Sequence, residues 1–363
     1  MRLDGLSEAV ALALDRELRG AGGSSLPART LEGTSEGDQA RLLVASREQF
    51  RALQERVGHE PAGLSAALKQ VDAALAHRLG RAERVVEGVH RSFTVGGPTL
   101  VMGVINVTPD SFSDGGRFLE PDAAVAHGVR LASEGATLLD LGGESTRPGA
   151  VPVPPDAEWR RVGPVLARLH GRVEVPISID TRHPEVAKRA LSEGADLVND
   201  IGGLRDPEMR RVVAGTGAPV VVMHMRGEPA TMQVDLEYAD LRTEVFNALD
   251  DACAQAEADG IASSKLLVDP GLGFGKSPEQ NLELIAHLGE FRSLGHPLLV
   301  GASRKSFLGW ALGGASLDER EEAGLAAAVA AALQGADIVR VHDVRPTVRA
   351  LALADRLRDA SRR

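Results

Sequence analysis

One cysteine, Cys253, stands in 363 residues. No intramolecular disulfide is therefore available, and neither is a multi-cysteine metal or redox centre; a reducing cytoplasm fits. Aromatic residues are also scarce, at 3%, too few rings for a base-stacking nucleic-acid platform. The core has to be built from Val, Leu, Ile and Ala instead. No apolar run approaches the roughly 20 residues that span a bilayer, and no positively charged start leads into an apolar signal core. The expectation is a soluble, cytoplasmic protein with no membrane partner. A basic excess is missing too: the formal net charge is −10. That balance disfavours nucleic acid as a partner, while leaving room for a local basic pocket that takes a small anion.

What is present is an ordinary globular composition, 43% apolar and 25% charged, so a packed core is expected rather than disorder. At roughly 100–200 residues per domain, the length allows two or three domains, or one large α/β barrel with an addition. Acidic and basic residues cancel over 1–100, so the whole acidic excess lies in 101–363. Two regions of different character follow.

From Thr99 onward, eight short apolar runs recur: 99–107, 136–143, 175–181, 196–201, 219–225, 266–271, 297–303 and 337–343. Their unbroken apolar character fits strands buried on both faces of a parallel sheet. A Gly-Ala pair precedes four of them, at 135, 194, 217 and 335, where glycine would stop the preceding helix. Helices are predicted to open at Pro121, Asp156, His183-Pro184 and Ser277-Pro278, since proline in a first turn forfeits no hydrogen bond. Eight strands alternating with helices over about 250 residues predict a (β/α)8 TIM barrel. The structural alternative is a doubly wound open sheet, but no GxGxxG follows the first run.

Residues 1–94 read as a small α/β N-terminal appendage. Helices are expected at 6–22, 47–58 and 63–88, and a strand at 40–46. Residues 95–363 would be the barrel. No chemistry can be assigned to the appendage, and packing or oligomerisation is its plain reading.

In a barrel, the C-terminal ends of the strands share one rim, where active sites sit. Polar residues crowd those ends: Asn106, Glu144 with Thr146 and Arg147, Asp180, Asn199 with Asp200, His224, Asp269, Ser303 with Arg304 and Lys305, then Arg340 and His342. Any one alone would read as a helix cap or a solvated charge. Together, two carboxylates, amides and an ammonium suit a flat heterocycle edged with N–H donors and ring acceptors. Arg and His suit phosphate oxygens. Two long polar loops, 108–118 and 144–155, are placed to close over a substrate.

The motifs at 102–116, 140–150, 178–181, 198–203, 269–277, 301–309 and 340–344 make the chain resemble the bacterial dihydropteroate synthases, in family order and over most of residues 92–353. The resemblance implies a folate-pathway, sulfonamide-targeted transferase that joins 6-hydroxymethyl-7,8-dihydropterin diphosphate to 4-aminobenzoate, releasing diphosphate. It also implies roles for residues of this chain. Asp180, Asn199, Asp269 and Lys305 would hold the pterin, while Asn106, Arg340 and His342 would hold the diphosphate with Mg2+, Asn106 being the metal ligand. Thr146 and the two loops would enclose the leaving group and the arylamine. Phe112, Arg147, Pro148, Phe274 and Lys305 would shape the aminobenzoate pocket, and Ser303 with the helix start behind it would receive the carboxylate. Asp180, Lys305, Arg340 and His342 would carry the chemistry, and the family commonly forms homodimers through barrel helices. Two alternatives stand beside it: a pterin-binding methyltransferase acting on methyltetrahydrofolate, and a non-catalytic pterin-binding or scaffold protein.

Overall fold

A computed structural model describes residues 2–28, 39–56, 63, 64, 67, 68, 71, 83–108, 121–145, 152–228 and 231–360. Contacts divide the chain into two units, Met1–Gly80 and Arg81–Arg363. In the first, strands β1 (Arg2–Leu6), β2 (Ser24–Ala28) and β3 (Gln39–Val44) form an antiparallel sheet in the order β1-β3-β2. Helices α1 (Glu8–Gly20) and α2 (Arg47–Arg56) accompany it. Ser7 caps α1 by accepting from the Val10 amide, and the stripe Val10, Ala11, Leu14 and Leu18 is buried. With Leu3, Leu43, Phe50 and Leu53 it makes a core belonging to this unit alone. The expected strand at 40–46 and the helices near 6–22 and 47–58 are present, and β1 is an addition to them.

The helix expected over 63–88 needs correcting at its end. Residues Arg84–Glu87 are strand β4, paired antiparallel with β5 (Ser92–Val95). The sequence RAERVVEG continues a charged helical pattern, but burial decides otherwise. Val86, Phe93 and Val95 pack against Met102, Leu138, Leu197, Val221, Leu267, Leu299 and Ile338. The hairpin therefore belongs with the barrel, and the division falls at Gly80/Arg81 rather than at 94/95.

Each of the eight apolar runs contains one strand: β6 (Leu100–Asn106), β7 (Leu138–Gly142), β8 (Ile177–Asp180), β9 (Leu197–Asp200), β10 (Val220–Met223), β11 (Leu266–Asp269), β12 (Leu299–Val300) and β13 (Ile338–Val341). All pairs are parallel, in the order β11-β10-β9-β8-β7-β6-β13-β12. A parallel bridge, Val268↔Leu298, joins the two ends and closes the ring. The fold is the predicted (β/α)8 barrel.

Helices α3 (Pro121–Ser133), α4 (Pro155–His170), α5 (Pro184–Glu193), α6 (Pro207–Thr216), α7 (Leu241–Ala258), α8 (Pro278–Ala286), α9 (Ser306–Ala311), α10 (Glu321–Gln334) and α11 (Val344–Ala360) lie between and after the strands. Ser277 and Gln280 form a capping box at the start of α8. The four repeated Gly-Ala glycines, Gly135, Gly194, Gly217 and Gly335, all have positive φ, which ends a helix without a Cβ penalty.

Side chains alternate along each strand. One set, including Ile105, Leu139, Leu141, Ile179, Val198, Val222, Val268 and Val339, packs with helix residues such as Leu131, Leu166, Leu169, Val186 and Leu249. The other set fills the barrel. Its lower layer is the apolar floor closed by the hairpin. Two residues further along the same strands stand Val104, Asp140, Asn199, Met223, Asp269 and Arg340. The interior thus turns from apolar to polar within one step of the strand repeat, and the polar layer opens at the rim.

Candidate active site

Register places the polar side chains beside one another. Asn106 is opposite Gly142, Gly142 opposite Asp180, and Asp180 opposite Asn199. From β13, separated from β7 only by β6, Arg340 reaches inward: its Nε donates to Asp140 Oδ2 at 2.6 Å and its Nη2 to Asp180 Oδ2 at 2.7 Å. Asn199 Nδ2 donates to the same Asp140 oxygen at 3.0 Å. Asp140 is fully buried and Asn199 nearly so. Burial works against the guanidinium charge, but the two carboxylates more than offset it and hold Arg340 above its ordinary value. Two carboxylates share one cation, so a negative charge is left over. Burial, with Asp140 adding to it and Arg340 opposing, raises Asp180 to about 7.

Asp269 ends β11 and accepts from the Gly271 amide at 2.7 Å. Burial raises its pKa, against the pull of the Lys305 ammonium. Lys305 donates to the Leu272 carbonyl and lies 4.7 Å above the Phe274 ring. Burial lowers it to about 8, with Asp269 opposing. Beside these charges lies an apolar shelf of Ile201, Met223, Met225, Met232 and Phe274. A planar ligand set on the shelf would meet carboxylate, amide and ammonium at its edge.

Asn106 and His342 lie at the neighbouring ends of β6 and β13, half-buried. With Arg130, Arg304 and Arg345, the acids Glu134, Glu321 and Asp343, and the start of α11 they line a cleft of about 390 Å³. His342 Nδ1 is 3.0 Å from Ser303 Oγ. The helix expected just beyond Ser303 begins at Ser306, is six residues long, and has Lys305 at its N-cap. Arg304, with φ of 61°, sits in the left-handed region and pairs with Asp343 at 2.9 Å.

Asp180, Asn199, Asp269, Lys305, Phe274 and Arg340 are therefore brought together at the barrel mouth. Asn106, His342 and Ser303 gather beside it. Arg340, grouped by the resemblance with the diphosphate residues, has its guanidinium on Asp140 and Asp180, and does not line the cleft that Asn106 and His342 share. Phe112, Thr146, Arg147 and Pro148 lie outside the described residues.

Three features were missed from the sequence. Asp140 sits inside the apolar run LLDLG, and its signal was a charge in a run otherwise buried on both faces. Lys276, 2% exposed, lies in the motif DPGLGFGKS, where its partners are carbonyls and the His224 ring nitrogen, 52 positions away. Arg182 makes a two-pronged ion pair with Glu144, both contacts at 3.0 Å, and Val153 N donates to Glu144 at 3.0 Å. This clamp grips both ends of the second loop.

Residues 102–342 match the family of pterin binding enzymes. The chain is 48% identical over 255 residues to the dihydropteroate synthase of Escherichia coli strain K12, covering 70% of this chain and 90% of that protein. It is similar to the Xanthomonas albilineans dihydropteroate synthase solved with 4-aminobenzoic acid, at 45% identity and a TM-score of 0.72, over 76% of this chain and 98% of that one. The same enzyme in complex with 7,8-dihydropteroate matches at 43% identity and a TM-score of 0.69, over 76% and 98%. With the barrel, the polar mouth and these likenesses in agreement, the chain belongs to the pterin-binding enzymes and, among them, to the dihydropteroate synthases.

Proposed function

We propose that this chain condenses 6-hydroxymethyl-7,8-dihydropterin diphosphate with 4-aminobenzoate, giving 7,8-dihydropteroate and diphosphate in folate biosynthesis. The observation that carries the reading is the set Asp180, Asn199, Asp269 and Lys305 around an apolar shelf at the barrel mouth. Ionised carboxylates accept from the amino and ring N–H groups of a pterin, and an ammonium donates to its carbonyl. A methyltransferase would share this pterin grip but has no use for a diphosphate site beside it, where Asn106 and His342 stand with Arg345, while Arg130 and Arg304 pair with Glu134 and Asp343. A purely binding protein would not need that site either.

The difficult step is loss of diphosphate, because an arylamine is a modest nucleophile. The methylene C–O bond breaks, its electron pair leaves with diphosphate, and positive charge spreads into the pterin. Asp180, raised by burial beside Asp140, supplies the nearby negative charge. The amine nitrogen then bonds to the methylene and loses a proton. No protein nucleophile takes part, and the residues hold two substrates in line.

Among the described residues no three His, Cys, Asp or Glu side chains gather as a metal cage. Mg2+ keeps waters and substrate phosphate oxygens as ligands and needs few from the protein, and the Asn106 side-chain carbonyl is a hard oxygen donor of the kind it takes. Asn106 would hold it, and the ion when bound supplies positive charge to the departing diphosphate. The enzyme acts in the cytoplasm as a homodimer. Leu333 of α10 and Leu353 and Leu357 of α11 support the second point, each 45% or more exposed on helices that pack together.

Purified protein given both substrates and Mg2+ should form dihydropteroate and diphosphate in equal amounts. Methyl transfer from a methylated folate to a corrinoid, with no dihydropteroate formed, would reverse the assignment. Capture of a covalent pterin–enzyme adduct during turnover would reject the dissociative route.

A further inference from the structure

The segment after β11, Pro270–Lys276, is an arch with one internal backbone bond, Phe274 N to Gly271 O at 3.1 Å, and otherwise held by side chains. Five consecutive carbonyls each receive one. Gly271 O and Phe274 O accept from Lys276 Nζ at 3.0 and 2.9 Å, and Leu272 O accepts from Lys305. Gly273 O accepts from Gln233 at 3.4 Å and Gly275 O from the Tyr238 hydroxyl at 2.8 Å. On the amide side, Asp269 accepts from Gly271 at 2.7 Å and Asn281 from Gly273 at 2.6 Å.

Lys276 is the centre of this arrangement. Its third contact is His224 Nδ1, at 2.9 Å. Burial and the cations Lys276, Arg205 and Arg226 hold His224 down at about 3, so the imidazole is neutral and its Nδ1 can accept, placing the ring proton on Nε2. All three ammonium hydrogens thus meet neutral acceptors, and no carboxylate forms a salt bridge with Lys276 among the described residues. Burying a cation without an ion-pair partner is costly. Burial lowers Lys276 to about 7, with Asp269 opposing and Lys305 adding. An apolar side chain would avoid that cost, but it would take the side-chain donor from the Phe274 carbonyl and leave the Gly271 carbonyl with the Phe274 amide alone.

We propose that Lys276 is a positioning residue for aminobenzoate recognition: by drawing the Gly271 and Phe274 carbonyls to one point, it fixes the Phe274 ring against Lys305. The inference rests on the activity proposed above and adds a residue that touches neither substrate. Without the ammonium, the two carbonyls separate, Phe274 loses its seat 4.7 Å from Lys305 Nζ, and the wall facing the arylamine loosens. Asp180 and Asn199, which stand on β8 and β9, stay where they are, while Asp269 and Lys305, each bonded to the arch, and Phe274, part of the shelf, pass a smaller effect to the pterin.

The test separates the two substrates. In Lys276→Met, shown to be folded by its thermal melt, KM for 4-aminobenzoate should rise about tenfold, while the calorimetric Kd for dihydropterin diphosphate alone changes less than about threefold. Tyr238→Phe, which frees only the Gly275 carbonyl, should raise the same KM by about two- to threefold. An unchanged aminobenzoate KM in folded Lys276→Met, or equal weakening of both substrates, overturns the inference. Should Lys276→Met not fold, Tyr238→Phe decides, and no rise in its aminobenzoate KM overturns it. Failure of the wild-type protein to make dihydropteroate would instead reject the proposed activity. Direct calorimetric binding of 4-aminobenzoate to wild type and variants would then read the arch separately.

Discussion

Arg340 and Asp140 stand 200 positions apart in the chain and 2.6 Å apart in the barrel. The pair ties β13 to β7 across the ring interior, and Arg340 extends the tie to Asp180 on β8. Removing one member of a buried ion pair leaves the other charge uncompensated and typically costs about 3–5 kcal/mol. Asp140→Ala should sit near the lower end, about 3 kcal/mol, because Arg340 keeps Asp180. The Asn199 amide loses its acceptor in the same variant, so affinity for dihydropterin diphosphate should fall too. Urea unfolding and calorimetric titration check the two effects, and Asp140→Asn should be milder in both.

Activity should depend on pH through two groups of opposite sign. Burial raises Asp180 to about 7, so the carboxylate proposed to hold the pterin is lost as pH falls through that value. Burial lowers Lys305 to about 8, so its ammonium is lost as pH rises through that value. The profile of kcat/KM for dihydropterin diphosphate should be a bell with its maximum between about 7 and about 8. Asp180→Asn should abolish the acid limb along with most activity. Lys305→Arg should move the alkaline limb upward, since a guanidinium keeps its proton.

Gly271 has φ of 70°, and a Cβ there would meet the His224 carbonyl oxygen at 1.8 Å. Neither group is a flexible side-chain end, so backbone has to shift. Gly271→Ala should destabilise by at least about 2 kcal/mol, the scale of left-handed strain before the clash is added. Comparison of thermal melts with those of Gly215→Ala, where no atom lies within 4 Å, isolates the effect.

Truncation should respond sharply to the cut. A chain starting at Arg81 keeps the β4–β5 hairpin and should fold and turn over like the full protein. One starting at Gly97 loses Val86, Phe93 and Val95 from the floor, and each buried apolar side chain is worth roughly 1.5–3 kcal/mol. The second chain should be several kcal/mol less stable by urea unfolding.

These cases show what the sequence made legible. The eight strands were readable because both faces are buried, so each run is mainly apolar, and the Gly-Ala stops repeated the signal. The rim was readable because polar residues crowd the C-terminal ends of the apolar runs, one run after another. The hairpin was not: RAERVVEG has the charge spacing of a helix, and only the seven floor residues under Val86 turn it into a strand. Asp140 was not either, because a carboxylate becomes interpretable only with its cation, which here arrives 200 residues later. Lys276 binds carbonyls, and a sequence says nothing of where carbonyls point.

The barrel is held unevenly around its circumference. β12 is two residues long, and its side toward β11 is joined by the bridge Val268↔Leu298, whereas β6 and β7 share five register partners. A ring opens where its ladder is thinnest, so the β11–β12 seam is where amide hydrogens should exchange first among the eight strands. Phe274 follows one edge of that seam and Ser303 and Lys305 the other. Breathing of the scaffold would thereby be confined to the sector proposed to admit the aminobenzoate, while the sector under Asp180 and Asn199 keeps its shape.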